Sequence, residues 1–296
     1  MPLETIYVVR HGFRSGWSVD PVTGTYSSSF PSPTGIPVDP ALTAHGVEQA
    51  NELGHHLMTL DPPVEAVYSS PYYRCLQTIT PFVELQTQRR AQLSEASQDA
   101  VAVGGVSDID KAAAAVTTIR PEYGLCEWFG SAPFEHPGPA PPTLLKSMFP
   151  AWDETYAPTL YPSTRGETLA QLEQRLTETM QSIIDQCDSQ GRRAVVLCTH
   201  AAVVIMLGRI LTGQFPESVD VDDFHAFTCG LSVYRRGPLP TTVSRNSATS
   251  PVGSWACEAN SDCSFLSGGA ERGWRFVGDE EFPGTGSMSQ ASAHKL

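Results

Sequence analysis

The chain has 296 residues and a formal net charge of −13, enough length for one large α/β domain or two small ones, either with a full core. Its 41% hydrophobic and 17% charged residues are those of a globular protein, and 24 glycines with 24 prolines point to long loops. The acidic balance argues against direct binding to a nucleic-acid backbone, which needs a surplus of Lys and Arg on one face. A local basic pocket in such a chain instead suits a small anion.

The first segment, TIYVV (residues 5–9), is rich in β-branched residues and apolar on both faces, which predicts a central strand of a parallel sheet covered on both sides. Arg10, His11 and Arg14 follow directly, at the strand's carboxyl end, the edge where open α/β sheets bind ligands. Residues 18–41 are crowded with Ser, Pro and Gly and predict a long loop. In LTAHGVEQANELGHHLMTL, Thr43 can cap a helix whose apolar stripe is Val47, Ala50, Leu53, Gly54, Leu57 and Met58. VEAVYSS reads as a second buried strand, and PYYRCLQT opens a helix with Arg74 in its first turn.

Residues 88–121 show little periodic apolar content and are expected to be a mobile insertion, and 131–166, rich in Pro and aromatics, a loop or cap excursion on the substrate side. GETLAQLEQRLTETMQSIIDQC carries a stripe from Leu169 to Cys187 and stops before Gly191. AVVLCTH is a third buried strand, ending at His200, and AAVVIMLGRIL a buried helix rather than a membrane span, because Thr199, His200 and Arg209 interrupt the apolar run. Further strands are expected at CGLSVYRR and WRFVG, and the tail 284–296 is expected to be disordered. The order predicts an α/β fold, a three-layer α/β/α sandwich around a mainly parallel mixed sheet.

The N-terminus carries no basic or apolar leader, which predicts an intracellular location, cytoplasmic or nuclear, with no membrane partner. The seven cysteines are scattered through apolar segments and read mainly as reduced core residues. CEANSDC lacks the spacing and the histidine of a zinc site, so neither a metal nor another cofactor is expected, while a Cys257–Cys263 disulfide stays open.

Three strand ends thus present Arg10, His11, Arg14, Arg74 and His200 at one edge. Singly, each reads as a satisfied structural residue. Together they repel one another unless an anion sits among them. Guanidinium forks match phosphoryl oxygens, and a neutral imidazole can attack phosphorus and divide one displacement into two.

These residues resemble the histidine phosphatase superfamily, the phosphoglycerate-mutase-like proteins: RHG, LTAHGVEQA, SSPYYRCLQT, RGET and CTHA match its segments in order from residue 10 to 201. The resemblance implies His11 as nucleophile, Arg10, Arg74 and His200 as the phosphate pocket, and Arg14 as a further arginine of one family variant. Glu127 in LCEWFG is implied as the general acid, with Glu122 and Glu135 as alternatives; Leu125 and Trp128 are expected to desolvate it and raise its pKa. Thr43 reads as a helix cap and Glu167 as a helix-start carboxylate. Ala201 departs from the glycine that many members carry after the late histidine.

A closer resemblance covers almost the whole chain: TIYVVRHGFRSGW, SSPYYRCL, CEWF, THAA and FLSGGAERGWRF look like the phosphatase domain of the fungal TFIIIC tau subunit and its free-standing relatives. It implies one domain over residues 1–283, acting either as a metal-independent phosphomonoesterase on a phosphorylated small molecule or phosphopeptide, or as an interaction module among transcription-factor subunits. A phosphomutase is the second enzymatic alternative. Every group that the hydrolysis requires is present, and no length remains for a second domain, which favours the free-standing enzyme.

Overall fold

The computed structural model of the chain describes residues 2–99, 116–237 and 253–276. Six strands make the central sheet: β1 (Thr5–Arg10), β4 (Ala66–Ser69), β5 (Arg120–Pro121), β6 (Ala194–Thr199), β7 (Leu231–Arg236) and β8 (Trp255–Asp262), in the order β5-β4-β6-β1-β7-β8. The pairs β5–β4, β4–β6 and β6–β1 are parallel, whereas β7 runs antiparallel to β1, and β8 to β7. β2 (Trp17–Val19) and β3 (Tyr26–Ser28) form a separate hairpin. The predicted mixed, mainly parallel sheet is the observed one.

Both faces of the sheet are covered, which is why β1 and β6 are buried at every residue and read as continuous apolar runs. α4 (Leu169–Ser189) and α5 (Ala201–Thr212) lie over one face, where Leu172, Leu176, Met180 and Ile183 meet Ile6, Val8 and Leu197. α1 (Ala44–Leu57) and α2 (Tyr73–Asp99) lie over the other, where Leu53, Leu57, Leu76 and Ile79 meet Tyr7, Val9 and Val196. Local chemistry starts these helices. The Thr43 hydroxyl accepts from the Gly46 amide at 3.1 Å, and Thr168 forms a reciprocal capping box with Gln171.

Register fixes the level of the strand ends. Arg10 pairs with Thr199, and Ser69 with Cys198, while the amides of His11 and Ser70 extend both ladders by donating to the Thr199 and Cys198 carbonyls, each at 2.9 Å. Arg10, Ser70 and His200 therefore leave the sheet side by side.

Three expectations need correction. Val47 lies on the solvent side of α1, 37% exposed, because the helix turns its buried stripe through Gly46, Gln49, Ala50 and Leu53. Residues 88–99 continue α2 and 120–121 form β5, so the expected insertion reduces to 100–115, which lie outside the described residues. Trp274–Phe276 is irregular rather than a strand. Among the described residues the last strand is instead β8, whose small and polar residues at a sheet edge carry little hydrophobic signal; Cys257 on it and Cys263 just beyond are free thiols, as are the other five cysteines. The excursion 131–166 contains a short helix, α3 (Pro142–Met148). The tail 284–296 lies outside the described residues. Among the described residues no helix is long and apolar enough to cross a membrane.

The loop after β1 is clamped to α1, since a Cβ on Gly46 would stand 2.0 Å from the Phe13 carbonyl oxygen. Gly46→Ala must therefore displace residues 11–14, at a cost of about 1–3 kcal/mol, and calorimetry should show a lowered Tm. Gly138→Ala, whose Cβ meets nothing within 4 Å, should leave Tm unchanged; equal Tm values for both variants would show that the loop is not held this way.

Candidate active site

Arg10, His11, Arg14, Arg74, Glu127 and His200 are all buried, none more than 8% exposed, and the fold brings all six together. Arg10 and His11 continue β1. Arg74 sits in the first turn of α2, directly after β4, and His200 is the N-cap of α5, directly after β6. Sequentially distant residues thus meet because parallel strands end at one edge.

The His11 imidazole is held by its Nδ1, 2.9 Å from the Gly12 carbonyl. A carbonyl only accepts, so Nδ1 carries the hydrogen and the lone pair resides on Nε2. Burial, followed by the charges of Arg74, Arg10, His200 and Arg14, drives the His11 pKa well below its ordinary value. The ring is neutral, with a free nitrogen lone pair in a cationic pocket. Its centroid lies 5.5 Å from that of His200.

Arg74 is the hub. Nη1 donates to the Val38 carbonyl at 3.0 Å and to Asp39 Oδ1 at 3.1 Å, and Nη2 donates to Glu127 Oε2 at 3.1 Å. Its Cζ lies 4.7 Å from the centroid of the Tyr72 ring. The Arg74 Nε is buried with no hydrogen-bond partner among the described residues. Arg10 donates to the Ala226 carbonyl at 2.6 Å and to that of Arg272, and Arg14 to the Ser15 carbonyl at 2.9 Å. Burial, together with the neighbouring arginines, lowers Arg10 to about 10 and Arg14 to about 9. Both remain charged at neutral pH.

His200 Nδ1 is 3.2 Å from Glu127 Oε2, and its Nε2 is 2.8 Å from the Ser70 hydroxyl. Burial opposes its protonation, but Cys75 and Glu127 prevail and raise its pKa. Arg74 Nη2 also stands 3.1 Å from this Nδ1, so the ring meets Glu127 and Arg74 on one side and the Ser70 hydroxyl on the other. The sequence led us to expect a raised Glu127 pKa, and the structure reverses this: burial does raise it, but His200, Arg74 and Arg14 together pull it down to about 2. Among these cations Glu127 is a carboxylate.

Glu127 is positioned from α4. The Glu167 carboxylate receives Arg175 Nη2 at 2.7 Å and Nε at 2.8 Å, and Arg175 Nη1 donates to the Gly124 and Cys126 carbonyls at 2.7 and 3.1 Å. The two alternative carboxylates serve elsewhere: Glu122 accepts from Gly124, Tyr156 and Thr159, and Glu135 is exposed. Thr43 caps α1 and also donates to the Phe13 carbonyl at 3.2 Å, a structural role at the site's edge.

Sequence reasoning passed over three residues. Asp39 lay inside a stretch read only as loop, with no signal to mark it. Ser70 lies in the SSPYYRCLQT segment, where its short side chain carries no charge to single it out. Arg272, whose Cζ stands 3.6 Å from the Phe13 ring centroid and whose charge reaches Arg10 and Arg14, belongs to a segment that only the tertiary fold returns to this edge.

His11, Glu127 and His200 also bring one ligand atom each within 4.8 Å of one another, a separation that could suit a metal ion. Three buried guanidinium groups surround them, so the field favours an anion over a divalent cation. A cavity of about 240 Å³ opens beside this cluster, lined by Glu127, Tyr72, Tyr123, Phe129, His136 and Tyr161 among others.

Residues 6–102 and 111–245 match the family model of the histidine phosphatase superfamily (branch 1). Among curated proteins, the chain is 29% identical to the Saccharomyces cerevisiae transcription factor tau 55 kDa subunit, over 93% of this chain and 59% of that one. It is 27% identical to the Drosophila melanogaster ecdysteroid-phosphate phosphatase, over 73% of this chain and 28% of the other. It thus spans less than two thirds of either relative. A crystal structure of the ecdysone phosphate phosphatase from Bombyx mori superposes with a TM-score of 0.49 at 21% identity, over 82% of this chain and 96% of that one. The family match covers most of the chain, from β1 through the strand ends that carry the arginines and both histidines: this protein belongs to the histidine phosphatase superfamily.

Proposed function

We propose that the chain is a metal-independent phosphomonoesterase that works through a phosphohistidine on His11. The observation that carries this reading is the neutral His11 ring, pinned through Nδ1 on the Gly12 carbonyl among the charged groups of Arg10, Arg14 and Arg74. A phosphate dianion entering this pocket relieves the repulsion among the guanidinium groups and is held by charge-assisted hydrogen bonds.

His11 Nε2 attacks phosphorus in line, forming a P–N bond as the P–O bond to the alcohol breaks, and the arginines stabilise the charge on the equatorial oxygens. The leaving oxygen needs one proton. His200 and Glu127 hold one between Nδ1 and Oε2, 3.2 Å apart, and the incoming dianion raises the Glu127 pKa by drawing on the same cations. Glu127 lines the cavity and so can hand the proton to the alcohol. Water then attacks the phosphohistidine, its proton returns to Glu127, and phosphate leaves as the P–N bond breaks.

A second reading rests on the 29% identity with the yeast tau subunit across 93% of this chain. In that reading the domain is a nuclear partner surface for transcription-factor subunits, and its pocket senses anions without turnover.

Release of p-nitrophenol from p-nitrophenyl phosphate, assayed with a chelator present, separates the two. Wild type should turn over, and His11→Ala should lose on the order of a thousandfold or more in kcat while keeping its Tm. No release by either protein would favour the partner surface. Wild-type turnover by His11→Ala would remove His11 as nucleophile.

The protonation states can be checked separately by NMR titration of the eight histidines. A lowered pKa means that His11 stays neutral as the pH falls through 6.5, whereas the raised pKa of His200 keeps it protonated as the pH rises through 6.5. A His11 signal that titrates at or above 6.5 would contradict the nucleophile's resting state.

A further inference from the structure

The cavity beside Glu127 is built from rings. Phe129 and His136 stack at 4.8 Å with their planes 12° apart, Tyr123 and Tyr161 meet at 4.5 Å, and Tyr72 lies 6.4 Å from Phe129. Pro137, Pro139 and Pro162 complete much of the rest. At about 240 Å³ it exceeds the roughly 150 Å³ of an apolar cavity that takes up benzene. Tyr161 keeps 66% of its surface in water, a cost that a ring laid against it would remove.

Its charges are one-sided. No Lys or Arg is among the lining residues, while Glu127 and Glu167 both are. Arg175 behind the wall is committed to Glu167 and to the Gly124 and Cys126 carbonyls. Arg165, next to the lining Thr164, is exposed and does not line the cavity. His136 is kept neutral by burial, its pKa lowered to about 4, and the Tyr72 hydroxyl already donates to the Pro137 carbonyl at 2.9 Å. A second phosphate or carboxylate on the alcohol would be desolvated beside Glu127 and Glu167 with no Lys or Arg on the cavity wall to pair with it.

We infer that this cavity holds the alcohol half of the substrate, and that the site takes phosphate monoesters of small, neutral, ring-bearing alcohols and rejects esters whose alcohol carries a second anion. The inference rests on the phosphatase reading above for its chemistry and on the cavity for its selectivity.

The test uses esters of alkyl alcohols, so that an aryl leaving group does not bias the outcome. In kcat/KM, 2-phenylethyl phosphate should exceed glycerol 1-phosphate by about tenfold and 3-phosphoglycerate by about a hundredfold. Tyr161→Ala should narrow the first gap, and Ser163→Lys, which adds a cation to the lining, the second. Equal rates for all three esters, or a preference for 3-phosphoglycerate, would overturn the selectivity and leave the phosphatase reading standing. A phosphotyrosyl peptide more than about tenfold better than 2-phenylethyl phosphate would assign the cavity to a macromolecular substrate and overturn the small-molecule class. If no ester is hydrolysed, calorimetry with 2-phenylethylphosphonate against 3-phosphonopropanoate decides. Tighter, Tyr161-dependent binding of the former keeps the cavity assignment while the catalytic reading fails, and equal binding overturns both.

Discussion

The guanidinium of Arg74 is completely buried, and no neutral form is available to it at any working pH. Removing such an ion from water costs several kcal/mol even after relaxation, so its surroundings must supply charge and acceptors from every side. Asp39 and Glu127 supply the negative charge, the Val38 carbonyl a further acceptor, and Tyr72 a ring face. Those four groups come from the loop before α1, the turn after β4 and the segment after β5. Satisfying one side chain therefore fixes how the loops over the sheet edge sit relative to one another, and with them the walls of the pocket.

The same crowding sets the protonation pattern. In isolation the two histidines would titrate near the same pH. Inside the cluster they are driven apart, His11 down by burial and four cationic neighbours, His200 up by Glu127 and Cys75 in spite of burial. Glu127 stays ionised because it faces His200, Arg74 and Arg14 together. Separated pKa values within one cluster suit the proposed division between a nucleophile and a proton carrier, and each displacement follows from which neighbours the fold provides. Main-chain carbonyls also receive Arg10, Arg14 and Arg74 at fixed positions.

Two different materials meet at Glu127. On one side lies the cationic floor formed by strand ends, which suits a phosphoryl group whatever it is attached to. On the other, loops rich in proline and aromatic residues make a cavity without a lysine or arginine. Residues 136–139 and 161–164 supply part of that lining together with Tyr72 and the turn at Tyr123. The hairpin β2–β3 supports it from behind, through Trp17 and Tyr26 against Phe129. The charged cluster thus sits on regular structure and the cavity wall on irregular structure, which can vary without disturbing the sheet.

The layered α/β fold was legible in the sequence because buried parallel strands and amphipathic helices leave strong periodic signals: TIYVV, VEAVYSS and AVVLCTH each end where β1, β4 and β6 end, give or take a residue. Position after a strand was also enough to nominate Arg10, His11, Arg14, Arg74 and His200, since parallel strands deliver their carboxyl ends to one edge. Edge strand β8 escaped notice because half-exposed small polar residues carry no such period, and α2 outran its apolar stripe. The sign of the Glu127 shift could not be read from its neighbours in sequence. Leu125 and Trp128 advertise desolvation, while the cations that reverse it arrive from 53 and 73 residues away, Arg74 and His200 respectively. Asp39 and Arg272 likewise have no local signature. Sequence by itself determined which elements form and which charged groups flank them; tertiary structure decided which charges face each other, because a pKa depends on distances between groups that chain order does not encode.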